Sequence, residues 1–439
     1  MKAITSKIKK FFKALGPGLI TGSSDDDPSG IATYSQAGAK FGLTTLWTAL
    51  ITFPLMAAIQ EMCARIGIMT SVGLTTTIKK HYSKSLLLIM MVFSVPAIVL
   101  NIGADIAGMG AVANLMLPTI PSMAFSVVFT LILVILIVYL PYQKIVAVLK
   151  YLCLSLFLYV AVPFFTHPNW GDVLRHTLIP TIKFNKEFIE IIVAILGTTI
   201  SPYLFFWQVS MEVEDVKATR ELILDRRRII QKTEDHADAK IAEKNFISLI
   251  IKRMQLDVNF GMLLSNMVMF FIILATGTAL FSSGVTQIDT VEQAAKALEP
   301  VAGKFSSLIF TLGVLGTGFL AIPVLSGSLS YIVSETFGWK GNLDKKFFQA
   351  KSFYLVIVVS LVLSLLINYF GLSPIKALLY TAILYGLTSP ILIAIILHIA
   401  NNKKIMKENT NSLLSNVLGF FTLAIMTIAG IVLMYMQFV

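Results

Sequence analysis

Long apolar runs alternate with short polar connections along the whole chain. The runs fall at about 12–38, 43–68, 86–116, 122–140, 144–166, 187–212, 255–281, 305–337, 349–370, 375–400 and 412–436. Most reach the roughly 20 residues that a helix needs to cross the hydrocarbon core. The pattern therefore predicts an all-α membrane protein with eleven transmembrane helices. Two runs are interrupted at mid-length. The first carries Ser23-Ser24-Asp25-Asp26-Asp27-Pro28-Ser29-Gly30, and the sixth carries Thr198-Thr199-Ile200-Ser201-Pro202-Tyr203. A break of this kind survives only where protein or a water-filled cavity satisfies the freed backbone. The breaks lie five helices apart. That spacing predicts an inverted repeat of five plus five helices with broken helices 1 and 6 at its centre. Repeat one then covers about 12–166, repeat two about 187–400, and the helix at 412–436 is an appendage to a single transmembrane domain spanning 1–439.

Composition agrees with the pattern. Of 439 residues, 56% are hydrophobic and only 13% charged, where a soluble domain is nearer one quarter charged. The net charge of +11 sits in short loops between apolar runs, which points to lipid headgroups and topology rather than nucleic acid. With the N-terminus inside, 28 of the 35 lysines and arginines fall on the cytoplasmic side and seven outside. This predicts a multi-pass protein of the cell membrane, N-terminus cytoplasmic and C-terminus outside. The five lysines before Ala14 run into a poor apolar stretch and then three aspartates, so they read as an uncleaved cytoplasmic end.

The loop 213–253 holds ten basic and eight acidic residues and few helix breakers. It reads as a solvated cytoplasmic helical hairpin or a partly disordered loop touching anionic lipid, with a regulatory or partner site as the alternative. The segment 285–304 reads as a short interfacial helix. Cys63 and Cys153 both lie in apolar runs and imply no disulfide framework. None of the five histidines falls at a break, and no nucleophile elbow, phosphate loop or zinc motif is present. The chain is not read as an enzyme and calls for no resident cofactor. Its oligomeric state is not legible.

The chemistry concentrates at the breaks. Asp27 before Pro28 is a good helix start, with a carboxylate at the N-cap and proline at the first helical position. Capping needs one carboxylate, and Asp25 and Asp26 have no such duty. Three adjacent negative charges at membrane depth repel unless a cation or protons neutralise them. Carboxylate, hydroxyl and freed carbonyl oxygens suit hard cations. The sixth break adds the neutral oxygens of Thr198, Thr199, Ser201 and Tyr203; the plainer reading there is a proline kink with hydroxyls bonded back to the helix. Gln208 and Glu212 follow on one face and can line a vestibule. In the third helix, Asp105 within Asn101-Ile-Gly-Ala-Asp faces the bundle or a cavity. Gly108-Met-Gly110-Ala-Val-Ala113 reads as close helix packing. Glu61 and Arg65, four residues apart, are expected to pair.

These residues together resemble the Nramp family of divalent metal transporters. The resemblance rests on Gly16-Pro-Gly-Leu, Asp27-Pro-Ser-Gly30-Ile-Ala-Thr, Gln36-Ala-Gly-Ala-Lys-Phe-Gly42, Leu46-Trp47, Gln60, Ala64-Arg65-Ile-Gly67, Thr70, Ala104-Asp105, Pro202 and Ser326-Gly327-Ser328 through Glu335-Thr-Phe. It implies a LeuT-like fold and uptake of divalent metal, usually manganese or iron, with protons. The departures are specific. The family's Asp-Pro-Gly-Asn has Gly30 at the asparagine position. Its Met-Pro-His reads Ser201-Pro202-Tyr203, and the metal-binding carbonyl position is Thr198. An acid shortly after Asp105 is replaced by Gly108.

Losing a thioether and gaining carboxylates favours harder, more hydrated ions. In this the chain resembles the Nramp-related magnesium transporter branch, while manganese, which also accepts oxygen ligands, stays open. The resemblance implies a divalent cation as transported substrate in a lipid bilayer. Its ligands would be Asp27, Asp26, Asp25, Gly30, Thr198 and Ser201, with Asp105, Tyr203 and Glu212 along a proton or ion pathway. Proton coupling is in doubt. The alternatives are a sodium- or proton-coupled organic solute symporter of the same fold, disfavoured by three aspartates, and a membrane receptor that transports nothing.

Overall fold

The computed structural model describes residues 16–140, 158–230, 236–343, 345–371 and 373–438. Among the described residues every regular element is helical. The principal helices are α1 (Pro17–Asp25), α2 (Pro28–Phe41), α3 (Trp47–Thr70), α4 (Leu74–His81) and α5 (Lys84–Met116). They continue with α6 (Ser122–Tyr139), α7 (Leu158–Thr166), α8 (Trp170–Leu178), α9 (Lys186–Thr199) and α10 (Pro202–Ile230). The last are α11 (His236–Ala279), α12 (Ser306–Phe337), α13 (Lys351–Ile367), α14 (Pro374–Asn401) and α15 (Leu413–Phe438).

Among the described residues eight helical spans are long and apolar enough to cross a membrane, and α13 is a shorter apolar helix. The first expected segment is split into α1 and α2. Most of the fifth segment, residues 141–157, lies outside the described residues, as do the N-terminal lysines and Cys153, so the count of eleven is not fixed by these helices. Both breaks occur where the sequence places them. Asp26 and Asp27 separate α1 from α2, and Ile200 and Ser201 separate α9 from α10.

Burial sorts the spans into centre and rim. The most apolar window of the α9–α10 span is 94% buried, against 22% for α6 and 28% for α15. A helix buried on all sides at this hydropathy is the core of a bundle, while a mostly exposed apolar one faces lipid. Leu131 and Ile135 of α6 and Phe420 and Ile431 of α15 are accordingly exposed.

The broken helices pack against different neighbours: α1 and α2 along α11, α9 along α14, and α10 along α3. The α1–α11 contact is made backbone to backbone. A Cβ on Gly22 would lie 2.2 Å from the Gly261 carbonyl oxygen, and one on Gly261 would lie 2.1 Å from that of Gly18. Small residues of this kind let membrane helices approach without a side-chain layer between them. Gly110 does the same between α5 and α6, where a Cβ would meet the Ser126 hydroxyl at 2.3 Å. The small-residue stretch of the third helix is thus a packing surface.

The hydrophilic stretch 213–253 is helical over its described part, with α10 running to Ile230 and α11 starting at His236. The 285–304 segment starts a helical turn at a capping box between Thr290 and Gln293. Its Ala294, Ala295, Ala297 and Leu298 are buried, so it folds over the bundle end as well as flanking it. Glu61 and Arg65 make no direct salt bridge, although the Glu61 charge still acts on the Arg65 guanidinium. Glu61 accepts from Gln255 Nε2 at 2.8 Å, and Arg65 Nη2 donates to Asn411 Oδ1 at 2.7 Å. An isolated i,i+4 ion pair stabilises by only about 0.2–0.5 kcal/mol, so tertiary partners displace it readily.

Candidate metal site

The two breaks cross. Gly30 brings α2 against the end of α9: a Cβ there would sit 3.4 Å from Thr198 Oγ1 and 3.4 Å from the Asp25 carbonyl oxygen. The Tyr203 hydroxyl donates to the Ser24 carbonyl at 2.9 Å, tying the start of α10 to the end of α1. Tyr34 OH lies 3.3 Å from Thr199 Oγ1. Asp25, Asp26, Asp27, Gly30, Thr198, Ser201 and Tyr203 therefore share one buried crossing point, with each polar residue among them at most 4% exposed.

The three carboxylates do not point the same way. Asp27 caps α2, its Oδ1 accepting from Gly30 N at 2.7 Å. Its Oδ2 accepts from Asn101 Nδ2 of α5 at 3.0 Å, and the same amide reaches Asp105 Oδ2 at 3.3 Å. Asp25 and Asp26 turn toward α11, where the Ser265 hydroxyl lies 2.8 Å from Asp25 Oδ2 and 3.2 Å from Asp26 Oδ1. One hydroxyl carries one proton, so Ser265 cannot satisfy both carboxylates. Asp25 Oδ1 is buried without a partner. Among the described residues no three His, Cys, Asp or Glu side chains form a ready-made cage. Any cation held here would draw on hydroxyl and carbonyl oxygens as well as carboxylate. That donor set is hard, with Ser201 where a thioether would be soft.

At the sixth break the Ser201 hydroxyl bonds back to its own helix, while those of Thr199 and Tyr203 bond to other helices. Ser201 Oγ donates to the Thr198 carbonyl at 2.6 Å and to Gly197 O at 3.1 Å, and Ser389 Oγ of α14 donates to the Ile200 carbonyl at 3.0 Å. The carbonyl of Thr198 and the hydroxyl of Ser201 are thus partners of each other. To ligate a cation they must exchange that bond. The cavity beside Pro28, Ser35 and Gly108 measures about 10 Å³, room for about one water.

Glu212 lies apart from the crossing, eleven residues along α10 from Ser201 and roughly 16 Å away at helical rise. It accepts from Gln208 Nε2 at 2.9 Å, and Gln208 Oε1 accepts from Thr21 Oγ1 at 2.5 Å. That chain joins α10 to α1. Beside it, Asp257 of α11 accepts from the backbone N–H groups of Gly16, Gly18 and Leu19 at 2.8, 2.6 and 3.2 Å. It caps α1 from another helix.

A model of the Nramp family, described as natural resistance-associated macrophage protein-like, matches residues 18–436. The chain belongs to the Nramp family. Its members are transporters, not enzymes. A divalent metal cation transporter MntH of Caldanaerobacter subterraneus subsp. tengcongensis is 25% identical over 436 residues, covering 98% of this chain and 94% of the relative. The MntH of Clostridium acetobutylicum is 24% identical, covering 99% and 94%. The fold of this Nramp protein resembles that of the Eremococcus coleocola manganese transporter, with TM-score 0.73, 19% identity, and 97% and 86% coverage. Mhp1, a nucleobase-cation-symport-1 family transporter in a closed conformation, superposes at TM-score 0.61 with 13% identity, covering 96% of this chain and 91% of that one. This chain is accordingly a multi-pass integral membrane protein.

Asn101, Ser265 and Asp257 were not read from the sequence as site residues. Asn101 had a signal: it precedes Asp105 by four residues and so shares its helix face. Ser265 and Asp257 carried none, because only the packing of α11 against α1 brings them to the break.

Proposed function

We propose that this protein moves divalent metal cations, magnesium or manganese, across the membrane by alternating access between its two broken helices. The observation that carries the reading is the buried crossing of the breaks, where Asp27 caps α2 beside Asp25, Asp26 and the Thr198 and Ser201 oxygens. Burying carboxylates at membrane depth is costly unless a cation or proton is their partner. The MntH relatives are named for divalent metal cations, and the similar Eremococcus structure for manganese. The residues of the sixth break itself offer only oxygens, although the Met269 thioether of α11 accepts from Thr199 Oγ1 at 3.7 Å, and oxygen ligands extend the range toward magnesium, which is held by one or two carboxylates and keeps several waters.

Packing of α1–α2 on α11 and of α10 on α3 supports a LeuT-like inverted repeat of five plus five helices with α15 appended, eleven spans in all. We place the N-terminus and the 213–253 stretch in the cytoplasm and the C-terminus outside, from the lysine and arginine distribution. In this reading Asp27 is the primary ligand and Asp25 and Asp26 assist directly or through water. Gly30 adds no side chain to the crossing and lets α2 lie close to Thr198, and Thr198 and Ser201 complete the shell once their mutual bond opens. Asp105, Tyr203 and Glu212 line the route. The sixth break has no histidine and Gly108 no carboxylate, so the reading does not require proton coupling.

The test is purified protein in liposomes with magnesium, manganese and calcium gradients and an internal pH dye. Asp27→Asn keeps a good N-cap oxygen but removes the charge. It should lower flux at least tenfold while the protein stays folded. Undiminished flux in that variant would overturn the reading, and acidification coupled to flux would restore proton coupling.

A further inference from the structure

We infer that Asn101 is the residue that keeps Asp27 a one-oxygen ligand and so sets the preference for small divalent cations over calcium. The inference rests on the divalent-cation reading above and adds to it a determinant of ion size. Asn101 is fully buried on α5, and its Nδ2 donates to Asp27 Oδ2 at 3.0 Å and to Asp105 Oδ2 at 3.3 Å. The reverse orientation of the amide would set a carbonyl oxygen against two carboxylates, so charge fixes which way it faces. The other Asp27 oxygen, Oδ1, accepts from Gly30 N at 2.7 Å as the cap of α2. Each oxygen therefore already serves a donor from a different element, one from the helix it caps and one from α5. The rotation of the carboxylate is held at both ends.

A carboxylate pinned in this way offers a cation one free oxygen direction at a time. To chelate with both oxygens it must turn its edge to the ion and give up at least one of the two donors. Magnesium requires near-octahedral geometry at 2.0–2.1 Å and takes single oxygens of one or two carboxylates with several waters. Calcium gathers six to eight oxygens at 2.3–2.6 Å and gains from bidentate carboxylates. Asn101 thus penalises calcium more than magnesium or manganese. The cap alone does not do this, because its donors, the Gly30 and Ser29 backbone N–H groups, both come from the first turn of α2 and hold the carboxylate from one side only. Asn101 acts through Asp27 and is a positioning residue, not itself a ligand.

The experiment is paired flux of magnesium and calcium in proteoliposomes, reported as the ratio of kcat/KM for the two ions, with manganese against calcium as a second pair. The variants are Asn101→Ala, which removes the donor, and Asn101→Leu, which removes it while conserving volume. Each ratio is internal to one preparation, so a reduced folded fraction cancels. We expect both variants to lower the magnesium-to-calcium ratio at least fivefold, mainly through a lower KM for calcium. A smaller change in a parent protein that carries these ions overturns the inference and leaves the divalent reading standing. A parent protein that carries none of the three ions overturns the divalent reading, and this inference with it.

Discussion

At the scale of single residues, the site is a set of buried acceptors that share too few donors. Ser265 stands between Asp25 and Asp26 with one hydroxyl proton. Removing the donor of a buried acceptor costs roughly 1–3 kcal/mol. Ser265→Ala should therefore lower the unfolding temperature in detergent, and millimolar magnesium should recover part of the loss by coordinating the carboxylate oxygens left without a donor. An unaltered melting curve would show that Ser265 does not bear on these carboxylates. The same scale explains Gly73, where a Cβ would lie 1.7 Å from Glu335 Oε1. Glu335 Oε2 accepts from Thr76 N at 2.8 Å and from Thr76 Oγ1 at 3.0 Å, so a carboxylate of α12 anchors the first turn of α4.

At the scale of elements, α1 is the piece whose attachment is most specific. It has nine residues, too short to be stable as an isolated helix. Its N-terminus is held by Asp257, and its glycine face lies on the backbone of α11. Gly22→Ala must force α1 away from α11, because the contacting atom is backbone and cannot rotate aside. We expect that variant to lose most transport, whereas Gly430→Ala, whose Cβ would meet only the flexible Leu387 side chain at 3.3 Å, should be tolerated. Flux assays on both in one lipid composition decide it. Asp257→Ala leaves three N–H groups without their carboxylate, a loss on the order of 2–3 kcal/mol. Thiol labelling of a cysteine at Thr21 should then accelerate, since α1 is released from that side of the bundle. Equal labelling rates would show that the cap does not hold α1 closed.

At the scale of the whole molecule, the polar residues of the crossing are buried from solvent, each at most 4% exposed. Under the proposed alternating access the broken helices must part, and a bound cation would stabilise a state with more space at the break. Binding to the folded state alone stabilises by about 2.7 kcal/mol at one hundred times the Kd. The parent protein should therefore melt higher in magnesium or manganese and lower in chelator, with Asp27→Asn insensitive to both. Much of this architecture was legible in the chain. Hydropathy gave the spans, because a membrane demands some 20 apolar residues per crossing whatever they pack against. The breaks were legible because proline and consecutive aspartates cannot sit inside an ordinary spanning helix. Which way each carboxylate turns was not legible. Asp27 faces α5 while Asp25 and Asp26 face α11, and that division is set by Asn101 and Ser265, residues 74 and about 240 positions away in sequence. Nor was it legible that Arg65 would take Asn411 rather than Glu61, or that Asp257 would cap α1. Spans and breaks are local costs that each segment meets by itself, so the sequence alone determines them. Donor and acceptor pairing depends on which helices touch, and only the tertiary packing decided that.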